Sequence, residues 1–351
     1  MSTFPLPPGH LPAALSPLPP GKLPAALLAA LLAQDVPTDP RVLIGPRVGE
    51  DAAVIDMGDR LLIAKSDPIT FATDAIGYYA VTVNANDIAV MGGTPRWFLA
   101  TLLLPETTTT ATLVQDIFTQ IHQACRDMGI ALVGGHTEIT VGLERPILSG
   151  HMLGEVTREH LVTSAGVQVG DALLLTKGFP IEGVSIMARE CAAQLATQGH
   201  AASDIARWQQ FLYAPGISVV KEAQALQQAV EVHAMHDPTE GGVATGLREL
   251  AQASGVGLHI TADQLPVLPE GALLCQAFGL DPFGTIASGA LLAAVPATQV
   301  ERAIHACTAA GVACYRIGTA VANATELVLH TGTETHPLPT FTRDEILTIF
   351  Q

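Results

Sequence analysis

An α/β (α+β) protein of two domains is the fold class the sequence predicts, and three observations predict it. From about Arg41 onward, short apolar runs of strand character alternate with longer stretches of helical character. The chain has 351 residues, beyond the size at which one core keeps growing, so two domains are expected. With 48% apolar and 14% charged residues, it buries a substantial core and is not a disordered chain.

Residues 1–40 form a proline-rich lead containing a small duplication. Pro7-Pro8-Gly9-His10-Leu11-Pro12-Ala13-Ala14-Leu15 returns as Pro19-Pro20-Gly21-Lys22-Leu23-Pro24-Ala25-Ala26-Leu27. Two copies are too few for a repeat fold. The expectation is an extended tail, then one short helix with Pro24 in its first turn.

Residues 41–160 read as the first domain. Leu61 to Ala64 is a short strand ending at Lys65-Ser66-Asp67. Ile76 to Met91 is a helix closed by Gly92-Gly93. A strand over Trp97 to Leu104, a helix over Thr110 to Met128, and strands at Ala131–Val133 and Pro146–Val156 complete it. Residues 168–335 read as the second domain. A strand over Ala172–Thr176 is followed by helices at Gly183–Leu195 and Ser218–Gln228 and a strand at Val230–Ala234. A helix from Thr239 to Ser254 comes next, then strands near Leu258–Ile260 and Ala290–Val295. The domain closes with a helix at Gln299–Ala310 and strands near Tyr315–Ala320 and Glu326–Leu329.

A formal charge of −16 argues against nucleic-acid binding, which needs clustered Lys and Arg. It leaves a polyphosphate neutralised by metal open. The five cysteines carry no CxxC spacing and fit reduced thiols of a cytoplasmic protein. No signal peptide is expected, and the apolar run Leu23 to Ala33 is too short to span a membrane.

Five segments carry the chemistry. They are Gly49-Glu50-Asp51-Ala52-Ala53-Val54, Ser66-Asp67-Pro68, Asn84-Ala85-Asn86-Asp87 with Met91-Gly92-Gly93, Val133-Gly134-Gly135-His136-Thr137-Glu138, and His236-Asp237-Pro238-Thr239-Glu240-Gly241-Gly242. Asp51, Asp67, Asp87 and Asp237 lie at the ends of apolar runs, where rigid elements are expected to hold them facing solvent. Several hard oxygen ligands converging in this way suit Mg²⁺ bridging a polyphosphate such as ATP. Singly, each aspartate also reads as a cap or turn residue. Asp87 differs, because Asp is a poor helix former and falls here inside a helical stretch.

Thr239 reads as the N-cap of a helix whose free N–H groups form an anion site, with Gly241 and Gly242 permitting close approach. A capped helix with glycines for tight packing explains the same residues. Gly134 and Gly135 leave a strand expected to be buried, and their backbone fits a nest for phosphate or ribose oxygens. His136 reads most simply as a hydrogen-bonding turn residue. Glu138 is the one candidate for metal, ribose or catalytic duty, and no covalent nucleophile stands out.

Taken in order, GEDAAV, SDP, NANDIAVMGGTP, VGGHTE, HDPTEGG and the later Phe278-to-Phe283 segment resemble the PurM-like ATP-binding superfamily. Its members include AIR synthase, thiamine-monophosphate kinase, selenophosphate synthetase and the hydrogenase maturation protein HypE. The resemblance covers roughly residues 40 to 330, and the second half is most similar to HypE. It implies a two-domain PurM-like fold, with an N-terminal mixed-sheet domain that dimerises and a C-terminal α/β domain. It also implies ATP and Mg²⁺ as cofactors, with Asp51, Asp67 and Asp87 as magnesium- and phosphate-side ligands joined by Asp237. Asn84, Gly134, Gly135, His136, Thr137, Glu138, Thr239, Gly241 and Gly242 form the expected nucleotide-binding set.

The implied chemistry is ATP-dependent activation of an oxygen, on a small-molecule or protein-bound substrate, with a maturation-protein partner open. Two departures stand out. HypE ends in a cysteine-bearing tail, whereas this sequence ends Asp344-Glu345-Ile346-Leu347-Thr348-Ile349-Phe350-Gln351 and its last cysteine is Cys314. Glu138 also stands where HypE has a lysine, so a different acceptor is expected. The runner-up is a small-molecule kinase resembling thiamine-monophosphate kinase. A third reading is a non-catalytic nucleotide-binding partner in a maturation complex.

Overall fold

Alternation along the strands and all-round burial of one helix build the architecture. The computed structural model describes residues 23, 25–33, 39–46, 51–70 and 74–350. Most of the proline-rich lead, together with Gly49 and Glu50, lies outside them. The helix expected after Pro24 is present as α1 (Ala25–Leu32).

The first unit contains β1 (Val42–Ile44), β2 (Ala53–Asp56), β3 (Leu61–Ile69), α2 (Ile76–Val90), β4 (Thr94–Pro105), α3 (Ala111–Met128), β5 (Ala131–Thr140) and β6 (Ile147–Val156). Its strands form one sheet in the order β1-β2-β3-β6-β4-β5. Only β4 and β5 pair in parallel. Strand β6 shows strict alternation of half-buried and buried residues, the mark of a sheet with one face on a core. Helix α3 starts at the N-cap Thr110, whose hydroxyl accepts from Leu113 N–H, and stops at a left-handed Gly129.

Helix α2 is enclosed on every side, with 13 of its 15 residues buried, Asn84, Asn86 and Asp87 among them, as befits a helix surrounded by neighbours. It lies on the sheet at Gly150, where a Cβ would come within 2.4 Å of the Asn84 side chain. Its opposite side faces the second unit. There Asn86 donates to Ile217 O at 2.8 Å and accepts from Val219 N–H at 2.9 Å. Ala75 and Tyr79 join a core cluster with Ile181, Val184 and Trp208, and Ala89 and Val90 join another with Leu174 and Leu226.

The second unit contains β7 (Ala172–Thr176), α4 (Ile181–Glu190), α5 (Ala192–Thr197), α6 (Ala202–Gln209), α7 (Val220–Ala229), β8 (Ala234–His236), α8 (Gly242–Ser254), β9 (Gly257–Thr261), α9 (Pro269–Phe278), β10 (Leu292–Val295), α10 (Val300–Ala309), β11 (Cys314–Val321), β12 (Leu327–Thr331) and β13 (Glu334–Pro337). The strand order is β13-β12-β9-β11-β7-β10-β8. Every residue of β7 is buried. Leu173 and Leu175 enter the core under α8, while Ala172 and Leu174 enter the one beneath α7 and α10. Period-2 alternation thus feeds two cores, and the sheet is covered on both faces.

Several expected boundaries move. Strand β3 does not end at Lys65-Ser66-Asp67 but runs through them to Ile69, because β6 pairs with it along its whole length. The expected helix at Gly183–Leu195 is two helices, α4 and α5, and the helix expected from Thr239 begins only at Gly242. Elements β1, β2, β13, α6 and α9 were not anticipated. All five cysteines are free thiols, four buried and Cys191 half-buried. Among the described residues, no helix is long and apolar enough to cross a membrane.

Candidate metal centre

Asp51, Asp67, Asp87 and Asp237 come from four separate segments and meet at the junction of the two units. Strand periodicity places Lys65 and Asp67 on one face of β3, and Lys65 Nζ reaches Asp67 at 3.7 Å and Asp87 at 3.2 Å. Asp87 comes from the interior of α2. Asp51 precedes β2, accepts from the Ser164 hydroxyl at 3.1 Å, and lies 3.4 Å from His236 Nδ1. His236 ends β8, its Nε2 is 2.9 Å from Glu249 of α8, and Asp237 follows it directly.

The expectation that these carboxylates face solvent is corrected. Asp87 and Asp237 are 6% and 3% exposed, and only Asp67 is appreciably open. Burial pushes the Asp87 carboxyl well above the usual carboxylate range; Lys65 opposes the shift, while Asp237, Asp51 and Asp67 add to it. Burial, followed by the charge of Asp51, pushes Asp237 up to about 7. Burial would raise Asp51 too, but the facing His236 and then Lys65 outweigh it and hold that carboxyl low. Burial works against the His236 imidazolium, and the carboxylates of Asp51 and Glu249 overcome it, so its pKa is raised well above 6.5.

Two buried oxygens here have no hydrogen-bond partner, Asp87 Oδ2 and Asn84 Oδ1. Lys65 Nζ, 3.2 Å from the first, is its ion-pair partner. Excess buried negative charge and orphaned oxygens are the setting a hard divalent cation stabilises. One set of ligand atoms, from Asp51, His236 and Asp237, lies within 4.8 Å of one another. Lys65 and His236 were both missed as site residues. For Lys65 the signal was present, since it shares a strand face with Asp67; for His236 a lone histidine beside an aspartate carried none.

The nucleotide-side expectations meet a different backbone. Gly134 to Glu138 do not form a turn after a buried strand. They lie inside β5, an exposed edge strand paired with Leu99 to Leu103 of β4. Their backbone is held in a ladder, which leaves no nest. His136 is not a turn residue; its Nε2 lies 2.9 Å from Glu138, which also accepts from Thr140. Asn84 is fully buried and donates to Asp67 O at 3.2 Å and Ala80 O at 2.8 Å, so it anchors β3 to α2.

Thr239 is not an N-cap: that position is Gly241, at φ 78°, without a side-chain cap. The Gly241 N–H donates to Asp344 Oδ2 at 2.6 Å, so an internal carboxylate already meets this turn. A Cβ on Gly242 would lie 2.4 Å from Phe283 O, which makes this glycine a packing requirement.

Residues 49–156 match the family described as AIR synthase related protein, N-terminal domain, and residues 168–330 match its C-terminal domain. The chain is similar to carbamoyl dehydratase HypE of Cupriavidus necator, 29% identical and covering 74% of this chain and 73% of the relative. It is also similar to a selenide, water dikinase of a Shewanella species, 31% identical over 74% and 71% of the two chains. Among solved structures, HypE in complex with ATP aligns with a TM-score of 0.69 at 21% identity, covering 91% of each chain.

Proposed function

Because the chain belongs to the AIR synthase related family, we propose that it is an ATP- and Mg²⁺-dependent enzyme that activates an oxygen of a small or carboxamide-like acceptor. The observation that carries this is the convergence of Asp51, Asp67, Asp87 and Asp237 around Lys65, drawn from both units. Two relatives are named for ATP-consuming or dehydrating chemistry and one solved relative holds ATP, which supports the same reading.

Asp67 is half-exposed beside the buried Asp87, so Asp87 and Asp237 would hold the metal and Asp67 would be open to the phosphate. Bound Mg²⁺ would neutralise the polyphosphate and the charge developing during phosphoryl transfer. Lys65 balances the carboxylates, and its ammonium would be available to a phosphate oxygen once a metal took over that role. Asn84 fixes β3 against α2 and so keeps Asp67 and Asp87 in register. Asn86, tied to Ile217 and Val219, holds the units together so that Asp237 meets the other three. Burial of Asp87 and Asp237 keeps water from these carboxylates, so their charge interactions with a bound cation would be strong.

Calorimetric titration with ATP, with and without Mg²⁺, tests the reading. Metal-dependent binding that disappears in Asp87→Asn is expected. Equal binding without metal, or full binding by that variant, overturns the assignment. Product analysis with a carboxamide acceptor then separates oxygen activation, which releases ADP and phosphate, from a kinase, which yields a phosphorylated acceptor.

A further inference from the structure

An imidazole in the middle of the acidic cluster is not what magnesium asks for. Mg²⁺ takes hard oxygen ligands, whereas imidazole nitrogen suits Mn²⁺, Co²⁺, Ni²⁺ and Zn²⁺ far better. Resting on the reading of this cluster as a metal centre, we propose that Asp51, His236 and Asp237 form a mixed nitrogen–oxygen site for a divalent first-row transition ion. The site prefers such an ion, Mn²⁺ or Co²⁺, over Mg²⁺.

Three observations carry it. One ligand atom from each residue lies within 4.8 Å of the others, with Asp51 Oδ2 and His236 Nδ1 3.4 Å apart. Ligands of one six-coordinate ion with bonds of about 2.1 Å lie about 3 Å apart when adjacent, close to the 3.4 Å between Asp51 Oδ2 and His236 Nδ1. Second, the far nitrogen, His236 Nε2, is 2.9 Å from Glu249 Oε2. A carboxylate behind an imidazole directs the other nitrogen's lone pair at the metal and raises its basicity. Third, the ring is fixed by packing. His236 is 8% exposed, and a Cβ on Gly246 of α8 would lie 3.3 Å from its Cδ2, so the ring stacks over a helix turn that lacks a side chain. Asp87, ion-paired with Lys65, interacts electrostatically with Asp51 and Asp237 from the adjacent helix.

The test uses the full chain and Mn²⁺ as the probe. Pulsed electron paramagnetic resonance of bound Mn²⁺ is expected to show hyperfine coupling to an imidazole nitrogen, lost in His236→Gln. By competition, Mn²⁺ is expected to bind at least about tenfold more tightly than Mg²⁺, a preference that His236→Gln removes. Glu249→Gln, at a half-exposed position, keeps the fold independently testable. It is expected to weaken Mn²⁺ binding about 10- to 100-fold, while the metal-free protein still unfolds in one cooperative transition.

Mn²⁺ bound without nitrogen coupling, or with a preference unchanged in both variants, overturns the mixed site. In that case Mg²⁺-dependent ATP binding by calorimetry leaves the proposed function standing. Absence of any divalent binding, with or without ATP, overturns both.

Discussion

Asp87 and Lys65 show how single side chains set the chemistry. Asp87 is buried in a helix among other carboxylates with Lys65 as its one nearby cation, an arrangement that destabilises the metal-free protein. Asp87→Asn removes the charge with little change in shape. It is expected to lower Mg²⁺-dependent ATP turnover about 100-fold or more while the unfolding midpoint holds or rises; steady-state kinetics with a urea melt checks both. Lys65→Met leaves four carboxylates without their shared ammonium. The metal-free variant is expected to lose about 3 kcal/mol, and Mg²⁺ should recover more stability in the variant than in the parent.

Titration of the buried carboxyls makes stability fall as pH rises. Burial holds both Asp237 and Glu182 up at about 7, above the ordinary carboxyl values of 3.8 and 4.5 that apply to the unfolded chain. Between those values and 7 the folded state binds more protons than the unfolded state, so stability declines through that window. His236 acts in the same direction: its folded pKa is raised, so its contribution is complete below about 6.5 and fades above. The metal-free unfolding midpoint is therefore expected to drop between pH 5 and pH 8, and Glu182→Gln to flatten part of the slope. A midpoint that rises over this range contradicts the assignment.

At the level of elements, α2 and the turn before α8 position the site. Helix α2 reads as helical in sequence from length and from the glycines that close it. Its all-round burial, however, depends on two sheets and several helices arriving from elsewhere. Asn86→Ala strands Ile217 O and Val219 N in a buried interface and is expected to cost about 2–4 kcal/mol in a urea titration. The turn at Gly241-Gly242 was expected to await an anion behind a Thr239 cap. Both glycines instead have positive φ, and Asp344 fills the turn from a segment more than a hundred residues later. Gly242→Ala is accordingly expected to lower the thermal midpoint, by about 1–3 kcal/mol of stability, through its clash with Phe283 O.

On the scale of the whole molecule, one described sheet edge carries strongly exposed apolar side chains. Strand β5 is the outer edge of the first sheet, and Ile139 and the following Val141 are 62% and 79% exposed. An open edge with apolar side chains invites pairing, which supports the homodimer that the resemblance implies. Sedimentation is expected to show a dimer that Ile139→Lys shifts toward monomer; an unaltered dimer would place the interface elsewhere.

The motifs in sequence determined the family, the two-sheet α/β class and four of the carboxylates, because local alternation, helix length and ordered acidic segments are properties of the chain itself. Asp51, Asp67, Asp87 and Asp237 needed no coordinates to be singled out. Burial of Asp87 and Asp237, the insertion of Lys65 and His236 among them, and the capture of the Gly241 turn by Asp344 were decided only in three dimensions. Each depends on which distant segments pack together, and electrostatic environment follows from that packing: an Asp reads the same in sequence whether a lysine, a histidine or water faces it.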